Sequence, residues 1–361
     1  DPTIGMARIN RFDFTTLPIN LLYLLYYEYR KNAKESLNFS FFEYGKNSNG
    51  NPDDDRWEMY LELQEMYAIL QRWYNDKELY HYLGFLFFNF KAQTPFRDIY
   101  TQWKALNSRD KFLKDIQHTI ATRMLDRYLE ETEKAAPDYQ KCLKTMTEAI
   151  SDFRENWYNN DKELYQILIL LDIFRILDSK SIKKLPTDYF TRKSGQKDGE
   201  DKEHILSQTP RKDNGEIATI KTDWERFAQS EDFKDIRSQM QEILNHSDAE
   251  LTEQELTQLQ NLLNSAGLNS IGNMVLLDLR INRSYGNADY AHKRTIIFQE
   301  YMNQKYVRPH TLAVFMKGDI DAREATGIPL NRWTLEDIKR NTDKIAKEIG
   351  KNFNAWLTQN N

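Results

Sequence analysis

The chain has 361 residues, 40% of them hydrophobic and 29% charged, an ordinary balance for a globular protein with a length prior of two domains. With 50 basic against 55 acidic residues, its net charge of −5 excludes a global field that would draw it to nucleic acid, so any such contact has to be local. Cys142 is the sole cysteine, which excludes an intrachain disulfide and a cysteine-built zinc site and fits a reducing cytoplasm.

Apolar runs are interrupted before they reach the roughly 18 residues that a membrane span needs, and no signal-peptide pattern opens the chain. It begins Asp1-Pro2, with Met6 its first methionine, which points to a piece of a longer protein. Residues 1–180 read as a helical scaffold or linker domain. Leu21 to Leu25, Trp57 to Trp73 and Leu164 to Leu177 carry apolar residues largely at three- and four-residue steps, the spacing of a helix with one buried face. Asn47 to Asp53 is a loop, and Pro95 and Pro137 stand near helix starts, where proline is tolerated. The aromatic run from Tyr80 to Phe90 could stack bases, but at helical spacing it reads as packing, with His81 and His118 structural.

Near Leu185 the pattern changes, and 181–361 reads as a second domain. Pro186 to Thr191 suggests a short strand, Arg192 to Glu200 a polar loop, and the residues after it a further strand ending at the polar Ser207-Gln208-Thr209-Pro210. A helical insertion at about 211–268 follows, with helices over Asp223–Ala228, Asp232–Leu244 and Thr252–Ser265, the last opened by a Thr252/Glu255 capping box. Met274 to Leu279 gives the second strand, Ala288 to Gln304 a helix with Asn287 as its cap or as a competitor of Asn282 for the ligand role, and Thr334 to Leu357 a closing amphipathic helix. The fold class expected is mainly α.

The run from Asp201 to Gln208, with Asn273 and Asn282 beyond it, carries chemistry. Phosphodiester hydrolysis needs a water deprotonated on one side and a cation neutralising charge on the other. Neutral imidazole takes protons near pH 7, so His204 suits the general base. Hard oxygen ligands suit Mg²⁺ or Mn²⁺, which assigns Glu203 and the amide oxygen of Asn282 to the metal. Adjacent strand residues point to opposite faces, so Glu203 and His204 reach one site only at a frayed or bulged strand end. Arg280, Arg283, Lys293, Arg294, Lys305, Arg308 and Lys317 gather after Asn273, where acidic residues are few, and suit phosphate contacts.

Asp-x-Glu-His-Ile-x-x-Gln over 201–208, followed by Ile-Gly-Asn-x-x-Leu-Leu over 271–277 and then Asn282, resembles the HNH nuclease half of the GmrSD modification-dependent restriction endonucleases, over roughly 185–317. More distantly it is similar to the HNH domain of RNA-guided CRISPR nucleases. The resemblance implies a ββα-metal core after the N-terminal helical domain, with His204 as base, Glu203 and Asn282 on the metal, Asp201 assisting and Asn273 supporting His204. It places Lys293 where the family tends to carry a lysine, and with Arg283 and Arg294 it is assigned to DNA phosphate. Ser207 near a usual proline, and the long insertion, depart from the pattern.

The family implies DNA as substrate, restriction of modified phage DNA, and an N-terminal nucleotide-binding half whose Asp-Gly-Gln type motif this chain lacks; no phosphate loop is present either. Without the resemblance, Glu-His is surface decoration, and asparagines are turn residues or caps. The alternative from another class is a non-catalytic module that keeps the nuclease fold and binds nucleic acid or protein. RNA shares the backbone chemistry and stands as an alternative substrate.

Overall fold

A computed structural model describes residues 52–90, 96–180, 184–190, 199–207, 209–210, 216–278, 290–317 and 331–359. The expected helix at Leu21–Leu25, the loop residues before Pro52, Pro95, Arg192–Asp198, Gln208, Asn287 and the site residues Asn282 and Arg283 lie outside them. The described residues are mainly helical. Two compact units are formed, one by 1–123 with 179–191 and one by 124–178 with 192–359. The units do not divide at 180: residues 124–178, expected in the scaffold, belong to the second.

In the first unit, α1 (Pro52–Asn75), α2 (Lys77–Asn89), α3 (Phe96–Leu106) and α4 (Arg109–Leu125) follow one another. Asp76 ends the first and caps the second, accepting from the N–H groups of Glu78 and Leu79 at 3.0 Å each. The aromatic residues do pack: Trp73 stacks on Phe112 and meets Phe96 and Trp103 edge-on. The strand expected at Pro186–Thr191 is instead a 3₁₀ turn over Thr187–Tyr189. Its neighbours' main-chain groups are taken by helix side chains, Tyr80 and His81 on Leu185 and Asn89 on Phe190, so no ladder partner is needed.

In the second unit, α5 (Tyr139–Ser151) and α6 (Asp161–Asp178) precede β1 (Glu200–His204). α6 has a wholly apolar run, Ile167 to Leu171, and is buried almost all round, so it forms the unit's centre. The insertion carries α7 (Lys221–Ala228), α8 (Arg237–Asn245) and α9 (Glu253–Ser265). The single helix expected over Asp232–Leu244 is broken: a 3₁₀ turn over Glu231–Phe233 precedes α8. Thr252 and Glu255 form the expected capping box. β2 (Met274–Asp278) pairs antiparallel with β1, Glu200 opposite Asp278 and His204 opposite Met274.

After β2 come α10 (Tyr290–Met302), α11 (Pro309–Met316) and α12 (Leu335–Thr358), the last capped by Thr334 and Asp337. α12 crosses the 3₁₀ turn Ile271–Asn273 closely enough that a Cβ on Gly272 would meet Ile338 O and Thr342 Oγ1 at 2.3 Å. Only glycine permits that approach. Asn341 Nδ2 then donates to Gly272 O at 2.8 Å, which fixes the turn leading into β2.

Candidate active site

β1 ends at His204, and the ladder is regular to that point, without the expected bulge. The neighbouring side chains therefore diverge, as a flat strand requires. Glu203 turns to α10, where Lys293 Nζ lies 2.9 Å from its Oε1; His204 stacks on Tyr158, ring centroids 4.6 Å apart, with its Nε2 2.9 Å from Asn269 Oδ1. Lys293 joins the two through the main chain, also donating to His204 O at 2.7 Å.

Asn273 acts on the backbone beyond His204. Its side chain accepts from Leu206 N–H at 2.8 Å and donates to Leu206 O and Leu268 O at 2.9 Å each, while its carbonyl takes the Ile205 N–H. An amide that both accepts from and donates to one residue's main chain substitutes for a strand neighbour, so the chain leaves β1 in one direction. Asn273 thus fixes the backbone of residues 205 and 206, directly after His204.

The other nominated residues are placed as follows. Asp201 Oδ1 accepts from Tyr165 Oη at 3.0 Å and from Lys202 N at 2.9 Å, on the strand face that also carries Glu203. Arg294 donates to Phe315 O at 2.9 Å and lies over the Phe298 ring. Lys293 is wholly buried, and an ammonium in the interior has to be paired. A phosphate contact through Lys293 therefore gives way to its bonds with Glu203 and His204 O.

The basic cluster is corrected in the same sense. Arg308 is buried, gripping Glu200 through Nε at 2.8 Å and Nη2 at 2.6 Å and Asp172 through Nη1 at 2.7 Å. Burial alone would pull its guanidinium down; Glu200 and Asp172 hold it above its ordinary range instead. Lys317 is buried on Asp337 at 2.9 Å, and burial draws its ammonium below the usual lysine range. Lys305 pairs with Glu300. Arg308 and Lys317 hold the fold together rather than forming a solvent-facing phosphate surface, whereas Lys305 is 60% exposed and Arg280 lies outside the described residues. Arg308 in particular ties the first residue of β1 to α6 and to the start of α11.

Sequence reasoning missed Tyr158, Asn264 and Asn269. Tyr158 lies in a 3₁₀ turn, Trp157–Asn159, whose first N–H donates to Asn269 O at 2.9 Å. Asn269 Nδ2 in turn donates to Asn264 Oδ1 at 2.6 Å. A signal was available in Gly267, two residues past the end of α9, where a glycine marks a chain reversal.

The expectation that Glu203 and His204 reach one site is thus not met by their side chains: the carboxylate and the buried ammonium lie on one face of β1 and the imidazole on the other, linked only through Lys293 and His204 O. An oxygen able to bind a cation stands on the first face and a nitrogen able to accept a proton on the second. Among the described residues no three or more His, Cys, Asp or Glu side chains gather to hold a metal ion, and no helix is long and apolar enough to cross a membrane. No curated protein and no solved structure matches the chain. The family model of the GmrSD restriction endonucleases, C-terminal domain, matches residues 147–348, more than half of the chain and the stretch holding β1, β2 and His204; the chain belongs to that family, whose activity is that of a nuclease on DNA.

Proposed function

We propose that this chain is an HNH-type, metal-dependent DNA endonuclease, acting in the restriction of modified phage DNA, with 181–361 as the nuclease region and β1, β2 and α10 as its ββα core. His204 takes a proton from the attacking water. Glu203 and Asn282 hold one Mg²⁺ or Mn²⁺, which when bound neutralises charge on the phosphate and the leaving oxygen. The donor set fits. Glu203 is 19% exposed, its Oε1 is taken by Lys293, and its Oε2 has no hydrogen bond among the described residues, leaving one hard oxygen for a cation that keeps most of its waters.

The observation that carries the reading is the Lys293 bridge. A buried cation on Glu203 Oε1 and His204 O fixes the carboxylate and the histidine backbone to one point, inside a chain of a nuclease family. Asn273 sets the path after His204, and Asp201 supports the strand through Tyr165. Arg283 and Arg294 remain the proposed phosphate contacts. The N-terminal nucleotide-binding half is proposed as the partner that gates this activity, in the cytoplasm.

The test is Mg²⁺- or Mn²⁺-dependent cleavage of plasmid DNA and of phage DNA carrying modified bases, comparing the native protein with His204→Ala at equal folded concentration. Cleavage leaving 5′-phosphate and 3′-hydroxyl ends, lost in the variant, is expected. Ends bearing 3′-phosphate would sink the mechanism. One observation favours the non-catalytic reading: Lys293 already neutralises Glu203 without a metal. DNA binding unaccompanied by cleavage, with the N-terminal half added back, would establish that reading.

A further inference from the structure

His204 is held by more than its strand. The residue is 9% exposed, its ring face covered by Tyr158 and its Nε2 edge occupied by Asn269, itself 5% exposed. Asn269 controls both contacts: its side chain meets the ring, and its carbonyl accepts the Trp157 N–H that fixes the turn carrying Tyr158.

The polarity of these bonds carries the argument. An amide nitrogen only donates, so the 2.6 Å bond from Asn269 Nδ2 to Asn264 Oδ1 turns Asn269 Oδ1 toward His204. An oxygen facing Nε2 accepts, which requires the proton to be on Nε2 and the lone pair of neutral imidazole to be on Nδ1. We propose that Asn264 and Asn269 are positioning residues, an amide relay that holds His204 as its Nε2–H tautomer and fixes the ring in the orientation its part as base requires.

The fold builds this relay at the end of the insertion. α9 stops at Ser265, and Gly267 takes φ +89°, in the left-handed region that favours glycine. Gly267 N–H returns to Asn264 O at 2.9 Å and Leu268 N–H to Leu263 O at 3.2 Å, the closing bonds of a helix C-terminus that reverses the chain. Asn264 and Asn269 thereby lie on either side of the reversal. A Cβ at position 267 would stand 2.2 Å from the Phe153 ring, so the turn is fixed by packing as well as by φ. The insertion is thus part of the site rather than a passive addition.

The inference rests on His204 being the base, and the two can fail separately. In the full-length protein labelled with ¹⁵N-histidine, two-bond ¹H–¹⁵N correlations report which ring nitrogen carries the proton at about pH 8, where an ordinary histidine is neutral. His204→Gln identifies the signal. The native protein is expected to show Nε2–H. Asn269→Leu should give a tautomer mixture and lower kcat by about 10- to 100-fold at unchanged KM, the usual scale for an orienting partner. Asn269→Asp, which keeps the accepting oxygen, should restore Nε2–H and most of kcat.

Should Asn269→Leu not fold, Asn264→Leu, altering a part-exposed position, should loosen the same tautomer preference. An Nδ1–H signal in the native protein, or a tautomer and kcat indifferent to both leucine variants, overturns the relay whether or not DNA is cut. Nε2–H in a native protein that cuts no DNA, with the N-terminal half present, leaves the relay standing and removes the base.

Discussion

His81 in the first unit and His204 in the second are both buried, and they differ in what holds the ring. His81 Nδ1 lies 2.5 Å from Lys77 O, and its Nε2 accepts the Leu185 N–H at 2.9 Å. Both nitrogens are spent on main chain, so the ring is a staple between α2 and the distant segment at Leu185. Protonation would set an N–H against the Leu185 N–H, and burial already pushes this imidazole down to about 4. His204 is gripped at Nε2 by a side-chain amide and covered by a tyrosine. On the proposed function, burial alone therefore does not separate a structural histidine from a chemical one; the identity of the groups on its nitrogens does.

The sharpest way to break that comparison is to remove each ring in turn. His204→Ala is expected to lower cleavage by about 10²- to 10⁴-fold, the range for a general base, with little loss of fold. His81→Gln should lower the denaturant midpoint and leave kcat per folded molecule unchanged. Initial rates on plasmid DNA, beside urea titrations of the same preparations, separate the two. Equal kinetic losses would show that both histidines serve the fold alone.

Charge supplies the next effect. The second unit anchors the far end of the site strand with Arg308, whose side chain is 2% exposed between Asp172 and Glu200 at 1% and 3%. Arg308→Met leaves two carboxylates in the interior without their cation and should destabilise by about 3 to 5 kcal/mol. Replacing all three by apolar residues of similar volume should recover most of that loss. If the single variant melts with the native protein, water reaches these groups and the anchor is not a buried one.

The reach of sequence reasoning differs along the same lines. Helices at Trp57–Trp73 and Leu164–Leu177, the Thr252/Glu255 box and the strand after Asn273 were legible because each is a local pattern of period, cap or short apolar run. Pro186–Thr191 read as a strand on its threonines and aromatics, while the chain used Tyr80, His81 and Asn89 as partners for that backbone. Arg308 and Lys317 read as surface because their carboxylates, Asp172, Glu200 and Asp337, are set by tertiary folding. Asn269 read as nothing, since its meaning arises only once Gly267 has turned the chain back on Asn264. The motif that carries His204 and Glu203 was visible, and the contacts of Asn264 and Asn269 behind the ring were not.

Titration sharpens the histidine comparison at smaller scale. His81 is near 4 in the folded chain against 6.5 unperturbed, so between those values the unfolded chain binds more protons and stability falls as pH drops. The contribution is complete above about pH 6.5 and fades toward pH 4, worth on the order of 3 kcal/mol in total. Midpoints of urea unfolding from pH 7.5 to 4.5 should therefore fall more steeply for the native protein than for His81→Gln. Parallel curves would mean that the ring is solvated when folded.

The smallest expected effect lies at the other end of the helix that carries Asn264. Thr252 Oγ1 accepts the Glu255 N–H at 3.3 Å, and Glu255 returns a bond to Thr252 N at 2.8 Å. Thr252→Ala should cost about 1 kcal/mol, the usual value of a cap. The loss falls on the first turn of α9, three turns from Asn264, so cleavage per folded molecule should hold steady. Gly267→Ala, at the helix end beside the relay, should cost stability and kcat together. A Thr252→Ala variant that also loses kcat would mean that the whole helix, and not its final turn, sets the direction of the His204 ring.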